Sequence, residues 1–204
     1  MRSLINARFG FRVTLVSVLV STIVLASAFL GSDRNSVLGA PEVLRAHAVI
    51  NGSPGSGISG EAVFTELVSR HRPVSEVRVV VHVVGLEPGL HGFHVHENGV
   101  CAAPFGTAGG HFDSGPFGSS TPVDANHPYH AGDLPNLEVN PAGVGHLEYV
   151  TSRFTLRQNT GNALSAFDAN GSAVIVHLNE DLGLNGVIGA SGGPRVACGL
   201  IEPD

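Results

Sequence analysis

The stretch Leu90-His-Gly-Phe-His-Val-His-Glu97 places His94 and His96 two residues apart in an apolar run. In a β-strand alternate side chains lie on the same face, and two residues advance the chain by only ~6.6 Å. Both imidazoles can therefore reach one metal ion, and neutral imidazole suits copper, zinc, iron and nickel. The alternative for this pair alone is one packed and one surface histidine, but the histidines farther along the chain favour metal binding.

Runs of alternating and β-branched residues continue on both sides of this stretch, and glycine, proline, asparagine and serine separate most of them. These runs cover residues 46–50, 61–68, 77–84, 89–96, 145–154, 172–177 and 196–201. No sustained helical period accompanies them, so the pattern predicts an all-β antiparallel sandwich or barrel. Residues 99–142 carry many turn residues, and we expect them to form a long functional loop.

The N-terminal region has the pattern of an export signal. Arg2, Arg8 and Arg12 precede an uncharged apolar run over residues 13–30, and Ala26-Ser-Ala28 has the small-x-small pattern of a signal-peptidase site. The run is also close to the minimum length of a membrane-spanning helix, so an uncleaved N-terminal membrane anchor is the alternative. Either way we expect an exported protein in the periplasm, at the cell surface or outside the cell.

These features divide the chain into three parts. We expect a signal peptide over residues 1–28, a spacer over residues 29–42 and one folded domain over residues 43–204. Residues 1–28 hold three arginines and no acidic residue, so cleavage changes the formal net charge from −6 to −9. Because an acidic domain repels the phosphate backbone, we expect no nucleic-acid partner.

Cys101 and Cys198 are the only cysteines of the chain. In an exported domain a disulfide between them is the default expectation. Metal ligation by their thiolates is the alternative, but thiolate sites usually contain closely spaced cysteine pairs, which this chain lacks.

A second group of candidate ligands lies in the turn-rich region. His111 stands in Gly109-Gly-His-Phe-Asp113, and His127, His130 and Asp133 follow at three-residue intervals. Such spacing brings ligands together in a loop, and three or four nitrogen and oxygen ligands fit a tetrahedral zinc site. Exposed loop histidines are the alternative.

Two further candidates lie near the C-terminus. His177 ends the apolar run Ala173–His177, and Arg195 ends an uncharged glycine-rich loop three residues before Cys198. A histidine at the end of an apolar strand is commonly a packed residue, and a surface arginine commonly serves solubility. The position of Arg195 beside the expected disulfide instead indicates a guanidinium whose placement is fixed.

Five motifs, in this order, closely resemble the secreted bacterial copper/zinc superoxide dismutases. They are Leu90–Glu97, Gly109–Phe112, His130–Asn136, Val174–His177 and Gly192–Gly199. The resemblance covers about residues 46–201 and implies an eight-stranded Greek-key β-barrel or sandwich with long metal-binding loops. It also implies copper and zinc as cofactors, superoxide as substrate, and a monomer or homodimer.

The resemblance implies a ligand set for each metal. The copper ligands are His94, His96, His111 and His177, and the zinc ligands are His111, His130 and Asp133, with His111 shared as an imidazolate. The family places a further zinc histidine eight residues after the shared one, where this chain has Ser119. We therefore expect His127 to supply that ligand through a loop of altered spacing.

The resemblance also assigns roles to neighbours of the ligands. An acid shortly after His177 is expected to link ligands of the two metals, and Glu180 and Asp181 both qualify. His91 is expected to form hydrogen bonds beside the copper-bearing strand without binding a metal.

The implied reaction is the disproportionation of superoxide to oxygen and hydrogen peroxide. By resemblance, His111 leaves the copper on reduction and takes up a proton, and Arg195 attracts and orients the anion. No other basic residue follows His177, so the local positive field of this acidic domain depends on Arg195 and the metals. The rival hypothesis is a non-catalytic copper- or zinc-binding domain on the same barrel, and the presence of all four copper-ligand positions and Arg195 favours the enzyme.

Overall fold

The computed structural model describes residues 42–68, 75–113, 129–158, 164–183 and 191–204. The expected signal peptide, nearly all of the expected spacer and His127 lie outside these ranges. Within the ranges, no helix has the length and apolar character that a membrane span needs.

The described ranges contain nine strands and one turn of 3-10 helix, Gly106–Ala108. The strands are β1 (Glu42–Gly52), β2 (Ser59–Val68), β3 (Glu76–Val84), β4 (Gly89–His96), β5 (Asp133–Val139), β6 (Val144–Thr151), β7 (Ala173–His177), β8 (Arg195–Leu200) and β9 (Glu202–Pro203). The alternation seen in the sequence decides their faces. In β3, for example, Val77, Val79, Val81 and Val83 are fully buried, whereas the residues between them point outward.

Eight of these strands close into a barrel. Their order is β2-β3-β6-β5-β4-β7-β8-β1, β1 also pairs with β2, and all neighbouring pairs are antiparallel. Strands β4, β5 and β6 are consecutive neighbours, while the connections from β3 to β4 and from β6 to β7 each pass two strands, which is the Greek-key arrangement. β9 adds two residues beside β1. The predicted all-β, eight-stranded Greek-key barrel is confirmed.

Apolar side chains from all eight barrel strands fill the interior. Phe64, Phe93 and Leu134 are fully buried there, and the ring of Phe64 meets that of Phe154 edge-on at 6.4 Å. Burial of one such side chain contributes roughly 1.5–3 kcal/mol relative to exposure. Phe93 and Val95 thereby anchor β4 in the core, and the opposite face of β4 is left for its histidines.

Strand β5 shows that the expectation of one long loop over residues 99–142 is wrong. It runs between β4 and β6 and buries two leucines in the core. Its pairing with β4 shifts register between His91 and Phe93, and Pro135 lies opposite this irregularity. Because proline donates no ladder hydrogen bond, it is tolerated at such a bulge and also hides the strand in the sequence.

A smaller apolar cluster lies on the outside of the barrel. Phe105 and Ala108 pack there against Ile175 of β7 and against Cys198 of β8. The predicted disulfide between Cys101 and Cys198 is confirmed, with Cα atoms 5.6 Å apart. These contacts hold residues 101–113, which we call the covering segment, against the outer face of β7 and β8.

Candidate metal centre

Three histidines share the outer face of two neighbouring strands. On β4, His94 and His96 point away from the core and are fully buried. Strand β7 runs antiparallel beside β4, with Ile175 opposite His94. Directly opposite residues share a face, and His177 lies two residues beyond Ile175, so its ring lies on the same face.

His111 completes a cluster of four imidazoles. It lies in the covering segment and forms an isolated antiparallel bridge with His96. Its ring centroid is 4.0 Å from that of His94 and 4.9 Å from that of His96, and the centroids of His94 and His177 are 4.8 Å apart. One nitrogen of each ring lies within 4.8 Å of those of the others, so all four rings can reach one ion.

Hydrogen bonds decide which nitrogen of each ring remains for a metal. In three rings one nitrogen is held by the protein: Nε2 of His94 by Oδ2 of Asp181 at 2.6 Å, Nδ1 of His96 by the Gly109 carbonyl at 3.0 Å, and Nδ1 of His177 by the Gly193 carbonyl at 2.9 Å. The other nitrogen of each ring is buried and has no hydrogen-bond partner among the described residues. Unpaired buried nitrogens are costly unless a ligand satisfies them. The donor set therefore fits an imidazole-bound ion such as copper.

Burial keeps these imidazoles neutral. It lowers the pKa of His94, although the hydrogen bond with Asp181 acts in the opposite direction. It lowers the pKa of His96 well below the usual value and the pKa of His177 to about 3. Since neutral imidazole is the form that binds transition metals, the cluster can take up an ion at neutral pH without first losing protons.

A second ligand group shares His111 with the first. Nδ1 of His111 lies 2.6 Å from Oδ1 of Asp133, the first residue of β5, and the backbone N–H of His130 donates to Oδ2 of Asp133 at 2.8 Å. Burial alone would raise the pKa of Asp133, but the bonds with His111 and His130 hold it well below its usual range. Ligand atoms of these three residues lie within 4.8 Å of one another. Two nitrogens and an ionised carboxylate fit zinc, and the expected further ligand, His127, lies outside the described residues.

Asp181 is the one of the two candidate acids whose carboxylate meets a ring of the four-histidine cluster. It is buried, and its Oδ1 accepts the backbone N–H of Gly183 at 2.8 Å while Oδ2 meets His94. Burial would raise the pKa of Asp181, but the bond with His94 lowers it. The side chain of Asn136 holds the backbone of Asp181 through bonds of 2.8 and 2.9 Å, a role that the sequence did not predict. Such a carboxylate fixes the orientation of a metal-binding imidazole and raises its basicity.

His91 joins β4 to the end of β7 without belonging to either ligand group. It is buried, with Nδ1 2.8 Å from the carbonyl oxygen of His177 and Nε2 2.9 Å from that of Glu87. The next residue, Gly92, lies close to both ligands. A Cβ there would be 3.2 Å from Cε1 of His94 and 3.3 Å from Cβ of His177, so a larger residue would require these side chains to shift. The backbone at Gly92 therefore passes close to the side chains of His94 and His177.

Arg195 is fixed beside the cluster by two carbonyls of the covering segment. Its guanidinium donates to Phe105 at 2.7 Å and to Gly109 at 2.5 Å, and the Gly109 carbonyl also accepts the bond from His96. Burial lowers the pKa of Arg195, while the charge of Glu97 acts in the opposite direction. The positive charge of Arg195 in turn helps to lower the pKa of His96, so the guanidinium is close enough to act on the four-histidine cluster. The arrangement provides a fixed cation next to a site for a metal and a small anion.

Arg153 supports the second ligand group through the backbone of Asp133, a role that the sequence did not predict. Its guanidinium donates to the backbone carbonyl of Asp133 and, at 3.3 Å, to Oγ1 of Thr151. It also lies 4.8 Å above the ring of Tyr129. Arg153 thus holds both the start of β5 and the turn before it, and a single arginine after a strand carries no sequence signal for this role.

The fold and the site together define a class: an antiparallel β-barrel with two adjacent metal-ligand groups that share one histidine. Residues 58–201 match the family model of copper/zinc superoxide dismutase (SODC). The chain belongs to the copper/zinc superoxide dismutase family. It is accordingly an enzyme that disproportionates superoxide, and its metals are copper and zinc.

Individual relatives agree with this membership. The chain is 36% identical over 135 residues to a superoxide dismutase (Cu-Zn) of Deinococcus radiodurans. The match covers 61% of this chain and 70% of that protein. It is 31% identical over 190 residues to superoxide dismutase (Cu-Zn) 2 of Aquifex aeolicus, which covers 92% of this chain and 98% of that protein. Among solved structures, a SOD-like protein from Bacillus subtilis is 30% identical with a TM-score of 0.58, over 76% of this chain and 96% of that chain.

Proposed function

We propose a ligand assignment for each metal of this enzyme. Copper is bound by His94, His96, His111 and His177, and zinc by His111, His127, His130 and Asp133. The observation that supports the copper assignment is the set of three buried imidazole nitrogens, on His94, His96 and His177, that find no hydrogen-bond partner in the described part of the chain. The zinc assignment is supported by the ionised Asp133 carboxylate on Nδ1 of His111.

Arg195, His111 and Asp133 have separate roles in the reaction that the bound copper supports. Bound copper supplies the one-electron chemistry, in which one superoxide is oxidised to oxygen and a second is reduced to hydrogen peroxide. Arg195 draws the anion into the site and orients it through its fixed positive charge. The nitrogen of His111 that faces the four-histidine cluster would bind copper in the oxidised enzyme and carry a proton in the reduced enzyme. That proton goes to the second superoxide, and solvent supplies the other proton of hydrogen peroxide. Nδ1 of His111 and the Asp133 carboxylate lie 2.6 Å apart, and both would bind zinc, which would keep the ring of His111 in place.

Metal loading and activity together test the copper assignment. The purified chain should bind copper and zinc, give a copper(II) EPR spectrum with nitrogen coupling, and consume superoxide. His177→Gln should lower copper affinity and activity by about tenfold or more and retain zinc. His47→Gln is the matched control, because His47 is an exposed imidazole on β1 that bonds to Asp204. Stoichiometric copper without activity would support the rival, a non-catalytic metal-binding domain.

The fourth zinc ligand needs its own variant. His127→Gln should lower zinc affinity and leave copper affinity nearly unchanged. Unaltered zinc affinity would leave a site of three protein ligands and remove His127 from the assignment.

We also propose that the chain is exported and that residues 1–28 are removed. The arginines and apolar run of the N-terminal region support this, as does the Cys101–Cys198 disulfide, since such bonds persist in oxidising compartments. Mass spectrometry of the mature N-terminus tests the proposal. A mature mass that begins after Ala28 supports it, whereas an intact segment 13–30 in the membrane fraction supports the anchor.

A further inference from the structure

A row of four ionisable side chains crosses the outer face of the barrel, away from β4 and β7. Glu61 on β2 lies opposite His82 on β3, His82 lies opposite His146 on β6, and His146 lies opposite Glu138 on β5. All four residues are exposed. Four adjacent strands therefore present two neighbouring imidazoles with one carboxylate on each side.

The two imidazoles of this row already lie side by side. The ring centroids of His82 and His146 are 4.7 Å apart, with the ring planes inclined at 44°. Within the metal centre the corresponding separations range from 4.0 Å, for His94 and His111, to 6.2 Å, for His94 and His96. The surface pair thus has the spacing of the rings that the metal centre brings together.

The backbone register places each flanking carboxylate one strand away from an imidazole of the pair. Neighbouring strands lie ~4.7–4.9 Å apart, so Glu61 and Glu138 each start one strand away from the nearest imidazole. Both side chains are exposed and long enough to turn toward the rings. The carboxylates of Glu61 and Glu138 either bind the ion directly as further ligands or attract it electrostatically from a greater distance.

The charges nearby favour a cation as well. The closest arginine on this face of β3, Arg78, lies four residues from His82 and is paired with Glu148 at 2.8 Å. That pairing, together with the charge of His146, lowers the pKa of Glu148, so this carboxylate is ionised. The charge of Arg78 is therefore offset by Glu148, and the negative charge within the row itself comes from Glu61 and Glu138.

We propose that His82 and His146, flanked by Glu61 and Glu138, form a third metal site on the barrel surface. Two imidazoles with carboxylate and water ligands suit borderline divalent ions such as Cu²⁺, Zn²⁺ and Ni²⁺, and are a poor set for Ca²⁺ or Mg²⁺, which prefer oxygen ligands. This site binds its ion independently of the two metals in the centre. It does not depend on the ligand assignment proposed above.

Titration of the copper- and zinc-loaded enzyme with additional Cu²⁺ tests the proposal. One further equivalent should give a second copper(II) EPR signal with nitrogen coupling, and Ni²⁺ should compete for the same site. The double variant His82→Gln/His146→Gln should lose this signal and bind the added Cu²⁺ weaker by on the order of tenfold or more. It should keep the first copper signal and the superoxide activity, which also shows that it is folded.

Matched variants separate this site from general surface binding. His47→Gln removes one exposed imidazole of β1 and should keep the second signal, while Glu61→Gln and Glu138→Gln should each weaken binding a few-fold. Equal Cu²⁺ affinity in the wild type and the double variant would overturn the proposal, and so would the absence of any additional bound Cu²⁺ in the wild type. The pair would then be a cross-strand contact alone.

Discussion

The carboxylate of Asp181 lies 2.6 Å from Nε2 of His94, and this bond leaves Nδ1 as the nitrogen of that ring available to a metal. His96 and His177 have the reverse arrangement, in which Nδ1 is bound to a backbone carbonyl and Nε2 is left. The orientation of His94 therefore depends on a charged side chain from another segment. Such a group controls both the position and the basicity of a ligand.

Asp181→Asn should lower copper affinity by about 10–100-fold, because an amide is a weaker acceptor for the bond from His94. Zinc affinity should change less. Competition titrations against a copper chelator and against a zinc chelator measure the two effects. Glu180→Gln removes the adjacent acid and serves as the matched control, and an equal loss of copper affinity in the two variants would contradict the role given to Asp181.

Arg195→Ala should slow the reaction with superoxide by about tenfold or more and leave the copper and zinc contents unchanged. The guanidinium is bound to the carbonyls of Phe105 and Gly109 rather than to a ligand ring, so its loss removes a charge without removing a ligand. The rate should also lose most of its dependence on ionic strength. Stopped-flow measurements over a range of salt concentrations, with Arg45→Ala as an exposed control, check this, and rates equal to those of the wild type would exclude Arg195 from the mechanism.

The metal-free protein should lose stability as the pH falls from about 7 toward 4. In the folded chain burial lowers the pKa of His177 to about 3 and also lowers those of His94 and His96, whereas the reference value for an exposed imidazole is 6.5. Below pH 6.5 the unfolded chain binds more protons, so each such imidazole removes about 1.4 kcal/mol of unfolding free energy per pH unit until its folded pKa is reached. Urea unfolding at several pH values measures the slope. A slope that is equally steep in His177→Asn would show that this imidazole does not contribute.

Arg153→Lys should weaken zinc binding by about tenfold, because lysine keeps the charge but cannot donate to the Asp133 carbonyl and to Thr151 with a planar fork. Copper affinity should change less. Arg78→Lys is a suitable control, since Arg78 is an exposed arginine whose partner, Glu148, is also exposed. Titration with a zinc chelator measures the affinities, and equal values for wild type and Arg153→Lys would show that the contacts of Arg153 do not support the zinc group.

Replacement of both Cys101 and Cys198 by serine should reduce the free energy of unfolding by about 4–5 kcal/mol in the chain-entropy treatment of a loop that spans a separation of 97 residues. The variant should also react more slowly with superoxide per bound copper, because the covering segment supplies the carbonyls that hold Arg195. Chemical unfolding and stopped-flow assays measure the two effects. Unchanged activity per copper would show that Phe105 and Ala108 hold the covering segment without the disulfide.

The barrel, the disulfide and the kind of enzyme could be predicted because each depends on local patterns or on short motifs. The two-residue spacing of His94 and His96 requires only that the segment be extended. The disulfide follows from the presence of two cysteines and from the expected export of the chain. The resemblance joins motifs that lie up to about a hundred residues apart.

The parts that could not be predicted depend on contacts between distant segments. Strand β5 was not predicted because it contains Pro135, and a proline argues against a strand in sequence alone. The irregular pairing with β4 that accommodates this proline is a feature of the folded structure. Glu180 and Asp181 are adjacent acids that look equivalent in the sequence. The two hydrogen bonds between the Asn136 side chain and the backbone of Asp181 position its carboxylate on His94. Arg153 reaches Asp133 only because the turn after β6 passes beside the start of β5.

The four-histidine cluster draws its rings from β4, from the covering segment and from the end of β7, which are far apart in the chain. An unfolded chain brings at most His94 and His96 together, so an ion that needs all four rings is held far more tightly by the native state. Each tenfold excess of free metal over its dissociation constant then adds about 1.4 kcal/mol to the stability of the loaded enzyme. A bound ion would cross-link the strands and the covering segment through coordinate bonds. The resistance of the enzyme to proteases and chelators should therefore rise with metal affinity as well as with the packing of the barrel.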